Sequence, residues 1–147
     1  MRTMLLVSAL LLAYAGAGRA ALGGLPTQFE GDAAAPVTHL TTSGSSYATR
    51  TTTLDSGTQV SEYVSDQGLV FAVAWNGPVL PDLKALLGKY FDTLVTEQWR
   101  TPRAGRPRIG VDLPEVVIHS GGHMRAFEGS AWIPAGFPAG FSTDDVR

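Results

Sequence analysis

A continuous stretch over residues 57–91 constrains the fold of this chain more than any other part. It contains two segments rich in β-branched and aromatic residues, 58–65 and 69–76, which flank a turn of Asp, Gln and Gly. This pattern predicts a β-hairpin with a three-residue loop, in which Tyr63 lies opposite Phe71. The second segment is apolar on both faces, so it predicts a central strand that is covered on both sides of a sheet.

An amphipathic helix is predicted directly after this hairpin, because apolar residues recur at helical spacing from Leu83 to Val95. Pro81 and Asp82 suit the first turn, where a helix tolerates proline and favours an acidic group. Gly88 costs about 1 kcal/mol relative to alanine and predicts that the helix bends or ends there. The sheet face expected to receive this helix has small side chains, which permit a close approach: Val70, Ala72 and Ala74.

Three further strands are predicted. Residues 47–54 are rich in threonine and fit an exposed first strand. Residues 115–119 and 123–133 flank Ser-Gly-Gly, which indicates a second hairpin with its exposed tip at 120–123. Together these segments predict a small α+β domain: an antiparallel sheet of about five strands, with one main helix packed on it between the third and fourth strands.

The predicted domain extends over residues 47–133. Residues 21–46 are rich in Ala, Gly, Thr, Ser and Pro without an apolar period, which predicts a flexible leader. Residues 134–147 contain Pro-Ala-Gly-Phe twice and are expected to form a turn-rich tail at the surface.

The N-terminus has the features of a signal peptide. Arg2 is followed by an apolar segment from Leu5 to Ala13 that is too short for a stable transmembrane helix. Gly18-Arg19-Ala20 then offers a small-x-small cleavage site, and Ala15 and Ala17 offer alternative ones. We therefore expect residues 1–20 to be removed and the protein to be periplasmic or extracellular, with no transmembrane segment after cleavage.

Composition excludes several kinds of chemistry. The chain has no cysteine, so it has no disulfide, no thiol catalysis and no zinc–thiolate site. Its net charge of −2 becomes more negative when the signal peptide and its two arginines are removed. A mildly acidic chain has no general attraction to nucleic acid, and we expect no nucleic-acid partner.

Several short motifs occur together along the chain. They are Ala21-Leu-Gly-Gly24, Gly57-Thr58, Glu62-Tyr63-Val64, Val70-Phe-Ala-Val73, Trp75 with Gly77-Pro78, Pro81-Asp82-Leu83, Leu87-Gly88, Tyr90-Phe91 and Ser120-Gly-Gly-His-Met-Arg-Ala-Phe127. This combination resembles the small exported bacterial proteins of the family known as domain of unknown function 2844. The resemblance covers most of the mature chain and implies export and a single domain. It implies no activity.

His119 and His123 are the candidate metal ligands. With a three-residue loop between them they would lie directly opposite, with Cβ atoms roughly 5 Å apart, which suits two imidazoles on one metal. With a two-residue Gly-Gly turn they would be diagonal and on different faces. A third ligand, such as Glu128, Glu62 or His39, would have to come from elsewhere. Two histidines without a fixed third ligand do not define a site, so no metal or other cofactor is predicted.

Glu62 stands on an otherwise apolar strand face. A partly buried carboxylate can have a raised pKa and act as a general acid or base. The alternative is an ion pair, for which Arg125 on the second hairpin is the natural partner. We expect the ion pair, because an unpaired buried charge is costly.

A run of arginines beside a tryptophan could bind anionic lipid or polysaccharide through several charge contacts. Aromatic residues in the tail could also contact a partner. The candidate partner surface therefore consists of Trp99, Arg100, Arg103, Phe137 and Phe141.

These observations favour a non-catalytic exported protein that binds an envelope protein or a surface polymer. No Gly-x-Ser-x-Gly elbow is present, so a hydrolase triad has no support and no catalytic residue is assigned. One alternative is a periplasmic metal-binding protein or hydrolase that uses His119, His123 and a carboxylate. A second alternative is a structural or secretion-accessory component that contacts the outer membrane or a surface polymer through the aromatic C-terminus.

Overall fold

The strand and turn signals of this sequence produce an eight-stranded antiparallel sheet within residues 22–100 and 109–147, the part that the computed structural model describes. The strands are β1 (Gly31–Ala33), β2 (Val37–Leu40), β3 (Ser46–Leu54), β4 (Gln59–Ser65), β5 (Val70–Gly77), β6 (Ile109–Asp112), β7 (Val117–His123) and β8 (Ala126–Trp132). Their order is β1-β3-β4-β5-β8-β7-β6, and β2 also pairs with β3. Helices α1 (Leu83–Leu87) and α2 (Phe91–Arg100) are joined by a 3-10 turn (Gly88–Tyr90) between β5 and β6.

The prediction of an α+β domain with about five strands is wrong, because the sheet dominates the fold. Each predicted strand has a counterpart, but β1, β2 and β6 join the sheet as well. β1 and β2 have three and four residues and are largely exposed, so they carry no apolar alternation that a sequence could reveal. Their backbone pairing with β3 makes them strands.

The central strand β5 is buried on both faces, as predicted. Its helix face is the side of the sheet on which the helices pack, and the buried residues there include Val60, Val64, Val70, Val73, Trp75, Leu86, Leu87 and Leu94. Its aromatic face is the opposite side, where the buried residues are Tyr47, Tyr63, Phe71, Ala72 and Ala74. The two-sided burial therefore comes from two separate clusters.

A β-bulge beside Tyr63 decides which side chains of β5 reach the helices. Tyr63 pairs with Ala72 instead of the predicted Phe71, because the register shifts by one residue at this point. Val73 consequently packs in the helix-face cluster. Ala72 and Ala74, which were expected beneath the helix, lie on the aromatic face instead.

The helix begins and bends where the sequence predicts. The carboxylate of Asp82 accepts hydrogen bonds from the backbone amides of Lys84 and Ala85, each at 3.0 Å, and so caps α1. α1 ends at Leu87, because Gly88 has a positive φ of 54°. A 3-10 turn then leads into α2.

Residues 22–30, within the predicted leader, pack against the helix face. Leu22 is buried, and its backbone amide donates to the carbonyl of Leu86 at 3.1 Å. Val70, at the start of β5, donates to Gly24 and accepts from Gly23, both at 2.8 Å. These contacts, which the sequence did not predict, join this segment to both α1 and β5.

Gly129 allows Trp75 to lie across the neighbouring strand. The two residues are partners in the β5–β8 pairing, and a Cβ atom on Gly129 would overlap the indole ring. Trp75 is only 2% exposed, and its Nε1 has no hydrogen-bond partner within the described residues. Packing, rather than a hydrogen bond, therefore positions this ring.

We predict that Gly129→Ala lowers the free energy of unfolding by about 1–3 kcal/mol, because the ring or the strand must shift to admit a methyl group. Urea denaturation measures the change. Gly110→Ala is the matched control, since a Cβ there meets the His119 ring at an ordinary 3.8 Å, and it should change the free energy by less than about 0.5 kcal/mol. Equal effects of the two substitutions would contradict this account of Trp75.

Candidate functional site

The aromatic face is covered along only part of its width. Residues 134–147, which we call the strap, pack on it through Phe137, Phe141 and Val146. Beyond the strap, the surface of β5, β8 and β7 is open and forms a groove of about 580 Å³. Its lining includes polar side chains from three neighbouring strands and the last residue of the strap: Asn76, His119, Glu128, Ser130 and Arg147.

Strand register brings the polar side chains of the groove to one face. His119 pairs with Ser130 across β7 and β8, and Glu128 pairs with Asn76 across β8 and β5. Directly paired residues lie on the same face, and alternate residues of a strand share a face. Two predicted candidates, His119 and Glu128, therefore lie at one groove together with Asn76 and Ser130, which the sequence analysis did not propose.

His119 makes the clearest polar contact at the groove. Its Nε2 lies 3.0 Å from Oδ1 of Asp112 on the edge strand β6, and its ring meets Trp132 edge-to-face at 5.3 Å. Side-chain exposure is 50% for His119 and 74% for Asp112, so the pair contributes little to stability. The described residues contain no hydrogen bond between His119 and Ser130. Ser130 therefore lacks the base contact that would activate it as a nucleophile.

The predicted tip of the second hairpin is wrong. The strands continue to His123, which pairs with Ala126, so residues 124 and 125 form the turn. Arg125 there has a positive φ of 68°. Gly122 serves a close backbone approach instead of the reversal, because a Cβ there would overlap the backbone of Ala126.

This register separates the two histidines. His119 and His123 lie on the same strand, four residues and therefore roughly 13 Å apart, instead of opposite one another. Residues 22–100 and 109–147 contain no group of three or more His, Cys, Asp or Glu that could hold a metal ion. The shared-metal geometry considered from the sequence is therefore not formed.

The expected ion pair between Glu62 and Arg125 is also wrong. Glu62 is 2% exposed, and its Oε1 accepts a hydrogen bond from the backbone amide of Thr27 at 2.8 Å. Arg125 lies in the exposed hairpin turn, whereas Arg50 is the residue directly opposite Glu62 on β3. Burial raises the pKa of Glu62, and the hydrogen bonds from Thr27 and the charge of Arg50 offset part of that effect.

The candidate partner surface is divided between the two sides of the sheet. Trp99 is 85% exposed at the end of α2, and Arg100 beside it pairs with Glu97 at 3.2 Å. Phe137 and Phe141 pack on the aromatic face, with ring centroids 5.0 Å apart. The last member, Arg103, lies outside the described residues. The structure thus does not bring the aromatic residues of the helix and of the strap together.

A second, smaller groove of about 510 Å³ lies where the strap begins, near the loop between β4 and β5. Its lining includes Lys89, Tyr90 and Phe137. The ammonium of Lys89 lies 5.0 Å from the centroid of the Tyr90 ring, so this cation already has an aromatic partner. Neither histidine candidate lies in this groove.

Comparison with known proteins identifies one family. The model of the family described as "Protein of unknown function (DUF2844)" matches residues 18–146, which confirms the resemblance seen in the sequence. No curated protein and no solved structure gave a match. Within the described part of the chain, no helix has the length and apolar character needed to cross a membrane.

We predict that Glu62 makes stability depend on pH. Because burial raises the pKa of Glu62, the folded protein binds this proton more tightly than the unfolded chain does, whose reference pKa is 4.5. The resulting stabilisation is complete below that reference value and is lost as pH rises through the folded-state pKa. Glu62→Gln should therefore raise the free energy of unfolding relative to wild type more at pH 8 than at pH 5.

Urea denaturation at several pH values measures this difference. Glu115→Gln, which removes a carboxylate at an exposed position, controls for the change in net charge. If Glu62→Gln and wild type have parallel pH profiles, the buried carboxylate does not contribute in this way.

Proposed function

Since the chain belongs to the DUF2844 family, whose description names no activity, we propose a function from its own groove. We propose that the protein is an exported binding module without catalytic activity. In this proposal the groove over β5, β8 and β7 binds hydroxyl-bearing units of a surface polymer. Export is supported by the N-terminal sequence, in which Arg2 precedes a short apolar segment and small residues occur before Ala21.

The observation that carries this proposal is the convergence of polar side chains on an open groove. Asn76, His119 and Ser130 can each both donate and accept hydrogen bonds, which suits a hydroxyl group because it also does both. The carboxylate of Glu128 adds acceptors and the guanidinium of Arg147 adds donors. Because the groove is open, a polymer can lie along it without a free end having to enter.

The same groove gives little support to catalysis. His119 is bonded to Asp112, but no described residue places a nucleophile within hydrogen-bond distance of its ring. The alternative that uses both histidines loses support because His123 lies four residues along the strand, away from the groove lining. The structural or secretion-accessory alternative has no specific observation in its favour.

We predict that sugars perturb the groove and that filling the groove prevents this. In ¹⁵N–¹H spectra, titration with a panel of monosaccharides and oligosaccharides should shift the amides of His119, Glu128 and Ser130. Ser130→Trp should weaken this binding at least tenfold, because the indole would occupy the space of the ligand. Thr96→Trp, on the exposed surface of α2, adds the same side chain elsewhere and should leave the affinity unchanged.

Three results would contradict the proposal. These are the absence of shifts with every sugar, shifts centred on Trp99 instead of the groove, or equal affinity in Ser130→Trp and wild type. Shifts in the groove on addition of peptides but not of sugars would indicate an envelope protein as the partner instead of a polymer.

Export is tested separately. When the full chain is expressed in a bacterial host, we predict a product that begins at Ala21 and is found in the periplasm or the medium. N-terminal sequencing and cell fractionation measure this. Leu10→Arg, which interrupts the apolar segment, should leave the chain unprocessed in the cytoplasm. A wild-type protein that keeps residues 1–20 in the cytoplasm would overturn the export proposal.

A further inference from the structure

The strap is attached to the aromatic face at several points along its length. Its repeated Pro-Ala-Gly-Phe places Phe137 and Phe141 against Phe71, with ring centroids 5.9 Å and 4.8 Å apart. In its middle, the hydroxyl of Thr41 donates to the carbonyl of Ala139 at 2.6 Å. Aromatic packing and this hydrogen bond thus fix the first part of the strap.

The last residues of the strap are attached by the packing of Val146 on the aromatic face and by hydrogen bonds to Tyr63. The hydroxyl of Tyr63 lies 2.8 Å from the carbonyl oxygen of Asp145 and 3.1 Å from that of Arg147, and it accepts a hydrogen bond from the Arg147 amide at 2.9 Å. Two other hydrogen bonds nearby, from the Asp144 amide to the Ser142 hydroxyl and from the Arg147 guanidinium to the Asp144 carbonyl, stay within the strap. One phenol therefore joins these main-chain groups to the sheet.

These residues also form part of the groove. Val146 and Arg147 line it together with His119, Glu128 and Ser130 from the sheet. Tyr63 is 5% exposed and does not line the groove, so it positions the wall without offering a contact to a ligand.

We propose that residues 142–147 form a movable wall of the groove and that the Tyr63 hydroxyl holds this wall in place. The groove is narrower while the wall is docked, and it opens when the hydrogen bonds to Tyr63 break. A neutral hydrogen bond of ordinary net strength shifts such an equilibrium roughly twofold to tenfold. The role of this wall in ligand binding rests on the proposed function, whereas the movement itself can be tested without a ligand.

Because the chain has no cysteine, a single introduced thiol can serve as a direct probe of the groove. Ser130→Cys places a single thiol in the groove, and the rate of its reaction with 5,5′-dithiobis(2-nitrobenzoic acid) reports access to it. The same reaction of Ser56→Cys, in an exposed turn, gives the reference rate. The ratio of the two rates is the measured quantity.

Removal of the Tyr63 hydroxyl should open the groove. Tyr63→Phe is expected to raise the rate ratio roughly twofold to tenfold, because it removes the hydrogen bonds and keeps the ring. Tyr47→Phe is the matched control, since Tyr47 lies in the same aromatic cluster and its hydroxyl makes no hydrogen bond to the strap among the described residues. It should leave the ratio unchanged. An unchanged ratio in Tyr63→Phe, or an equal rise in both variants, would overturn the proposal.

Hydrogen exchange then locates the change. In Tyr63→Phe the amide of Arg147 should exchange faster by a similar factor, while the amide of Val73 in β5 should exchange as in wild type. Faster exchange at both sites would mean that the substitution loosens the whole sheet, and it would contradict a local wall movement. If the rate ratio and the exchange of Arg147 rise as expected but no sugar binds, the proposed function is wrong, whereas the proposal of a movable wall is supported.

Discussion

The structure depends on the burial of β5 on both faces. An antiparallel sheet often leaves one face to solvent, but β5 has a run of six buried residues and needs apolar cover on each side. α1, α2 and Leu22 supply that cover on the helix face, and the strap supplies part of it on the aromatic face. The chain has no cysteine, so no disulfide can attach these segments to the sheet. Apolar packing and hydrogen bonds must therefore do so.

The bulge beside Tyr63 determines which side chains of β5 face the helices and which face the strap. It sends Val73 towards the helices and leaves the small side chains Ala72 and Ala74 beneath the strap. Small residues at this place permit an irregular segment to lie close to the sheet, where Phe141 packs against Phe71. Without the shift in register the helix would have met the alanines, as the alternation of the sequence suggested. A single extra residue therefore assigns the helix to one face and the strap to the other.

Sequence patterns predicted the features that depend on neighbouring residues. The first hairpin, the two-sided burial of β5, the Asp82 cap and the break at Gly88 all have local signals. β1 and β2 have none, because their backbone pairing with β3 makes them strands. The Gly-Gly of the second hairpin led to a wrong position for its turn, because glycine also permits a close approach of backbones within paired strands.

The polar sites also combine features that the sequence reveals locally with features that depend on distant parts of the chain. Glu62 was recognised as unusual, but its partner is the backbone amide of Thr27, 35 residues away, and every residue type except proline offers such an amide. The alternation of Glu128 and Ser130 along β8 is visible in the sequence. Which residues join them at the groove depends on the pairing of β8 with β5 and β7, and the sequence alone did not fix that register.

The positions of Glu62 and the groove bear on the choice between catalysis and binding. A buried carboxylate with a raised pKa is a common indicator of an active site. Here Glu62 shares a strand face with Val60 and Val64, on the helix side of the sheet, and it accepts a hydrogen bond from the segment at residues 22–30. The groove lies on the opposite side. The carboxylate whose pKa burial raises is therefore separated by the sheet from the surface that can receive a ligand. Its burial serves to attach the N-terminal segment, and the groove is left with the hydrogen-bonding groups that a binding site requires.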